Sequence, residues 1–381
     1  MGPGKCEGAG GAHCCGGAAG GGNQGEERDG RQVGPMFGYN VYFNHLEPHV
    51  PRWLHRALRR AWRALHSYPR ILAYLPAGLR TRTTALLEDI SVRLFLGRIR
   101  PLPTRLLGPR WRRKGKGIQL DITYSCNLKC YNCNRSCEQD PSNDGMSLGQ
   151  VRQFLEESRA QRTQWRHIDL LGGEPTAHPQ FMEIVKLLLE YRDQYAPQTR
   201  VVLWTNGHGE RVNRILSQLP PGLEVENTAK TTKFQTTFHT FNVAPVDVKG
   251  YAGADFSNAC SILTTCGLGV TPYGYYPCAI AGAIDRTFGL NLGRKELPKL
   301  DDPMTHELRT FCSLCGLFKP PTGEPLNGPV MSPTWTQAYA RSREHPPQLA
   351  RLPEAPALVQ ITPAQRPQHA PELADTAAPR A

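Results

Sequence analysis

The chain predicts an α/β fold built on a parallel sheet, and three observations lead there. Between Ile118 and Glu226 short apolar, β-branched runs alternate with helical patterns, the order that right-handed βαβ units produce. Each of the first three runs ends in a loop of distinct chemical character: a cysteine-rich loop, then Gly172-Gly173-Glu174-Pro175, then Thr205-Asn206-Gly207. Ligands of parallel sheets bind at the carboxyl ends of the strands, so all three loops are expected on one rim.

Taken in order, the chain of 381 residues opens with a Gly-rich stretch to about Val33 that has almost no large apolar side chain. It lacks the burial that would offset the entropy of ordering, and residues 1–49 are expected to be disordered, with His13, Cys14 and Cys15 in a solvated tail. Residues 50–116 read as a basic helical extension. Trp53, Leu54, Leu58, Trp62 and Leu65 fall on or near one helical stripe, and Arg52, Arg56, Arg59, Arg60 and Arg63 fall elsewhere. Such a helix suits an anionic membrane surface, nucleic acid or an acidic partner. Packing the Trp and Leu stripe on the core, with the Arg face in water, is the simpler account. The formal charge of +12 is concentrated in this region and says little about an active site.

Residues 118–123 predict a buried strand. Ser147 is placed to cap a helix through Arg159 with Val151, Phe154 and Leu155 inward. Residues 167–171 and 200–205 predict the next strands, 181–191 and 212–219 helices, and 223–226 a fourth strand. Residues 236–244 read as a further strand reached without a helix.

The cysteine loop carries Cys126, Cys130 and Cys133 as C-x3-C-x2-C. Three soft thiolates leave one corner of a cube-shaped 4Fe-4S cluster without a protein ligand, whereas a structural zinc site wants a fourth. Twelve cysteines clustered in this way read as metal ligands in a reducing, cytoplasmic compartment and not as a secreted disulfide framework. No apolar run approaches the ~20 residues of a membrane-crossing helix, and the first residues carry no signal-peptide core. Met1-Gly2 does not complete an acylation signal, because Cys6 stands where Ser or Thr is wanted.

This cysteine array after the first strand, with GGEP after the second, resembles the two hallmarks of the radical S-adenosylmethionine (radical SAM) enzymes. The resemblance implies a partial (β/α) barrel in which Cys126, Cys130 and Cys133 bind a catalytic 4Fe-4S cluster. The open iron would be chelated by S-adenosylmethionine, which is cleaved by one electron to a 5′-deoxyadenosyl radical that abstracts hydrogen from a substrate. It further implies that Gly172, Gly173 and Glu174 hold the methionine amino group, and that a reducing partner such as ferredoxin or flavodoxin supplies the electron. Thr205 and Asn206 fall near the ribose by position, or simply cap the strand. After the fourth strand the chain departs from the family pattern. Many relatives place Ser and Asp where this chain has Glu226-Asn227-Thr228-Ala229-Lys230, so Glu226 and Lys230 replace those contacts or form an ordinary ion pair.

A second thiol group follows in residues 259–319: Cys260, Cys266, Cys278, Cys312 and Cys315. The stretch from Cys266 to Cys278 reads as a hairpin turning at Pro272 to Gly274, and Phe311 to Gly316 is a C-x2-C knuckle. Cys266, Cys278, Cys312 and Cys315 make a closed set for one metal centre, and a zinc ribbon uses such pairs too. After a radical SAM core the pattern resembles the twitch domain, a shortened relative of the SPASM domain, which implies a second 4Fe-4S cluster. Cys260 competes with Cys266 for a place in the set, and the hairpin pattern favours Cys266. Cys137 lies outside both sets and reads as structural. Asp285 and Arg286 line a substrate cavity or form a structural salt bridge. Residues 320–381 are Pro- and Ala-rich and expected to be a flexible tail, with one docking turn around Trp335 and Tyr339.

The function expected from this reading is oxidative modification of a peptide or protein by a radical SAM enzyme with residues 117–258 as its barrel. Two alternatives stand beside it: a dehydrogenase or epimerase of a sugar or other small molecule, and a non-catalytic iron-sulfur or zinc scaffold whose basic helix recruits nucleic acid or membrane.

Overall fold

The computed structural model describes residues 76–113, 116–235, 241–319 and 330–355, together with Tyr74. The Gly-rich N-terminal region and the Trp53 to Leu65 stripe lie outside the described residues. Of the basic extension, the described part holds helices α1 (Ala77–Arg98) and α2 (Pro101–Leu107). Only the end of α1 docks firmly: Phe95 and the following Ile99 are buried against Tyr251 and Phe318.

The elements that follow are β1 (Gly117–Thr123), β2 (Lys129–Cys130), α3 (Leu148–Ala160), β3 (His167–Gly172), α4 (Phe181–Tyr195), β4 (Arg200–Thr205), α5 (Glu210–Leu216), β5 (Glu224–Asn227) and β6 (Phe234–Gln235). Beyond them come α6 (Ile262–Thr265), β7 (Leu268–Thr271), β8 (Gly274–Tyr276), α7 (Ala279–Phe288), α8 (Thr305–Leu314) and α9 (Pro333–Glu344). The main sheet has the order β5-β4-β3-β1-β7-β8. All pairings are parallel except the β7/β8 hairpin, where the sequence placed its turn.

Central β1 is buried along its whole length. Side chains alternate across a strand, and the two faces of this sheet differ in chemistry. Ile118, Leu120, Ile122, Ile168, Leu170, Val201, Leu203, Leu268 and Val270 form one apolar face, covered by Val151, Phe154 and Leu155 of α3 and by Ile184, Val185 and Leu188 of α4. The opposite face carries Gln119, Asp121, Thr123 and Asp169, all buried. Buried polar groups need partners, and Asp121 finds the Arg135 guanidinium at 3.0 Å. Helix α3 starts where expected because Ser147 and Gln150 form a reciprocal capping box.

The strand expected at 236–244 falls largely outside the described residues; ahead of it the chain forms the short β6, which pairs with β2 and so braces Lys129 and Cys130 within the cysteine loop. The C-terminal region is not a free tail throughout. Residues 333–344 are helical, Trp335 is fully buried against Phe241, Phe288 and Tyr339, and Leu352 is buried beyond it. Aromatic burial outweighs the Pro- and Ala-rich composition, and Pro333, in the first turn, starts the helix where an interior proline would break it.

Among the described residues no helix is long and apolar enough to cross a membrane.

Candidate functional site

At the carboxyl rim of the sheet a cavity is lined by Cys126, Cys130, Cys133, Gly172, Gly173, Thr205 and Asn206, with Leu171, Trp204, Arg135, Cys137 and Lys230 among its other walls. Three loops remote in sequence meet there because their strands are neighbours: β3 pairs with β1 on one side and β4 on the other. The meeting is made by backbone. Gly173 N–H donates to Thr123 O at 2.7 Å and Glu174 N–H to Ser125 O at 2.9 Å, tying the second loop to the start of the cysteine loop. That approach requires glycine: a Cβ on Gly172, whose φ is +125°, would lie 2.1 Å from Thr123 O, and one on Gly173 2.2 Å from Ser125 O.

Glu174 is buried and absent from the cavity lining. Its Oε1 accepts from Thr176 Oγ1 (2.8 Å), Thr176 N (3.3 Å) and Thr205 Oγ1 (2.9 Å), and its Oε2 from Asn206 N (2.9 Å). A carboxylate has about four acceptor sites, so in this structure Glu174 spends them joining the second loop to the third. An amino group bound to it would have to displace one of these donors. Thr205 and Asn206 do more than end a strand, since the Asn206 amide donates to Asn127 Oδ1 at 2.8 Å and reaches Cys126 Sγ at 4.0 Å.

Lys230 and Glu226 part company: the lysine lines the cavity while the glutamate is exposed on β5. The turn that aims Lys230 there is fixed by Lys230 N–H donating to Asn206 O at 2.8 Å and by Ala229 in the left-handed region at φ +46°.

The thiols differ in electrostatics. Burial pushes the Cys126 thiol up to about 12 and the Cys130 thiol up as well, with Lys230 pulling against burial at Cys130. Cys133 is drawn down chiefly by a hydrogen bond from Cys137, whose own thiol is raised in return. Ligand thiols must lose protons to bind metal, so the donor chemistry fits a cluster that forms with proton release.

Cys260, Cys278, Cys312 and Cys315 are free thiols, all raised by burial, and lie close enough that Cys312 and Cys315 each feel the charge of Cys260 and Cys278. Cys266, the C-cap of the short helix α6, is buried as well. Hairpin spacing favours Cys266 and the charge shared with Cys312 and Cys315 favours Cys260, the two cysteines flanking the short helix α6. Among the described residues no three His, Cys, Asp or Glu side chains converge as ligands of a single metal ion. Asp285 is held by Tyr276 Oη and by the Leu292 and Gly293 amides, and Arg286 by Asp140, so both are structural in their contacts. Sequence reasoning also passed over Arg135 and Trp204; their only signal is position, one past the last cysteine of the array, the other on the polar face of β4.

Fold and site together give an α/β protein, its main sheet parallel but for one hairpin, with cysteine thiols around a cavity at the strand ends. Residues 120–221 match the family model described as the radical SAM superfamily. The chain is similar to mycofactocin maturase MftC of Mycobacterium ulcerans, 32% identical over 24% of this chain and 22% of that protein. MftC of Mycobacterium tuberculosis is 36% identical over 17% of this chain and 16% of that protein. The matches thus span less than a quarter of these curated relatives. Among solved structures, that of BtrN in complex with AdoMet and 2-DOIA covers 56% of this chain and 98% of its own, at 14% identity and a TM-score of 0.33, too distant a likeness to carry an argument.

Proposed function

We propose that this chain is a radical SAM enzyme that carries out oxidative modification of a peptide or protein. The observation that carries the reading is the meeting of three cysteine thiols, the Gly172-Gly173 backbone and the Thr205-Asn206 loop around one cavity, inside the segment that matches the radical SAM model.

Cys126, Cys130 and Cys133 would hold a 4Fe-4S cluster and leave one iron to the cosubstrate. When bound, that cluster supplies one electron to the sulfonium of S-adenosylmethionine and so delivers the 5′-deoxyadenosyl radical. The backbone of Gly172 and Gly173 lets the methionine end approach closely, Thr205 and Asn206 face the nucleoside end, and Glu174 keeps the two loops in step. The partly closed cavity matters because a primary carbon radical must meet only its intended C–H bond.

Cys260, Cys278, Cys312 and Cys315 would bind a second, fully ligated 4Fe-4S cluster in a twitch-like C-terminal domain. A closed cluster offers no iron to substrate and suits a role as electron acceptor, which favours a net oxidation. The relatives' name, maturase, accords with a polypeptide substrate.

The test is consumption of S-adenosylmethionine by reconstituted protein under reductant, with candidate peptides and candidate sugars added in turn. Acceleration by a peptide supports the reading. Acceleration by a sugar alone overturns the choice of substrate.

A further inference from the structure

Where the cysteine loop meets α7, the fold buries a charge pair that the chemistry above leaves unused. Arg286 lies on α7, the helix that Cys278 caps, and is 6% exposed; Asp140 closes the cysteine loop and is 8% exposed. The guanidinium meets Asp140 Oδ2 at 3.2 Å. It also donates to three carbonyls of the loop: Asp140 at 2.7 Å, Arg135 at 3.2 Å and Ser136 at 3.4 Å. Asp140 accepts in turn from Thr287 Oγ1 on α7 (2.9 Å) and Ser342 Oγ on α9 (2.8 Å), while Ser136 Oγ lies 2.9 Å from Tyr339 Oη. Arg286 Cζ sits 4.5 Å over the ring of Tyr124, the residue through which β1 enters the cysteine loop.

A buried ion pair is poor value as a packing device, because apolar residues of the same volume often stabilise as well or better. Its placement has a second consequence. The Arg135 and Ser136 carbonyls that the guanidinium holds follow Cys133 by two and three residues, and Arg135 lines the cavity beside Cys133. Uptake of an electron adds negative charge to an iron-sulfur cluster, so a fixed cation nearby favours the reduced form and a fixed anion opposes it.

We propose that Arg286 and Asp140 are positioning residues that clamp the cysteine loop to α7 and α9 and, through their opposite charges, set how readily the catalytic cluster accepts an electron. This rests on the cluster reading above. The step is uptake of one electron from a low-potential reductant, with no bond made or broken and no proton moved.

The experiment is an anaerobic redox titration of the reconstituted full chain without S-adenosylmethionine, followed by electron paramagnetic resonance. The signal of the Cys126/Cys130/Cys133 triple alanine variant is subtracted to isolate the catalytic cluster. Arg286→Met removes the cation and should lower the reduced-to-oxidised ratio at a fixed potential about tenfold, 59 mV for one electron. Asp140→Asn should move the ratio the opposite way, and Arg286→Lys, which keeps the charge but not the fork, should lie nearer the unaltered chain. A purely structural role predicts loosening without opposite signs, so shifts in one direction, or none with cluster content intact, overturn the proposal. If Arg286→Met does not fold, the Asn variant decides: a raised ratio supports the proposal and an unshifted one overturns it. Absence of any cluster from the unaltered chain overturns the underlying reading as well.

Discussion

The two thiol groups were built by the fold in opposite ways. Cys126, Cys130 and Cys133 occupy one loop after one strand, held by neighbouring strand ends, whereas Cys260, Cys278, Cys312 and Cys315 come from the approach to α6, the cap of α7 and the end of α8. A contiguous set depends on local spacing and on the register of β1, β3 and β4. A dispersed set depends on how helices pack, and it is tied to the C-terminal helix through the core shared by Cys315, Trp335 and Tyr339.

The sharpest way to break this contrast is to delete each set. Alanine at Cys126, Cys130 and Cys133 should abolish 5′-deoxyadenosine formation, measured by chromatography of the reaction products. Cys260→Ser should lose roughly half of the bound iron, one cluster of two, while Cys266→Ser should keep it; equal losses from both, or loss from Cys266→Ser alone, would restore the hairpin cysteine to the set.

Packing provides the next test. Trp335→Ala should cost about 3–5 kcal/mol in denaturant unfolding, because the ring is fully buried, and should lower iron content more at the dispersed set than at the rim. On the sheet side, burial lowers the His167 pKa from 6.5 to about 4. The fold therefore prefers the neutral ring, and stability present above the unfolded value of 6.5 is lost as pH falls through 4. His167→Gln should flatten that loss in unfolding titrations between those two pH values. Smallest of all, Ser147→Ala should cost about 1 kcal/mol by removing the α3 cap.

These differences explain what was legible in the chain. The rim was readable because each motif sits directly after a β-branched run, so strand alternation alone brings the loops together; β4 and the start of α3 fall where periodicity and the Ser147 cap put them. Linear spacing left Cys260 and Cys266 in competition, because the two flank one short helix, α6. The bonding of Glu174 was not readable: its four donors come from two loops that only the sheet makes adjacent. The docking turn expected at Trp335 and Tyr339 is a helix of 12 residues, α9, an extent that the surrounding Pro and Ala concealed.

The central claim is that three thiols on the cysteine loop hold an iron-sulfur cube with one iron open to a sulfonium. It is tested most directly by anaerobic reconstitution, counting iron and sulfide per chain and assaying 5′-deoxyadenosine after addition of S-adenosylmethionine and reductant. The account predicts iron and sulfide in equal amounts together with the adenosine product. Protein that takes up only zinc, or iron and sulfide without any such product, would contradict it.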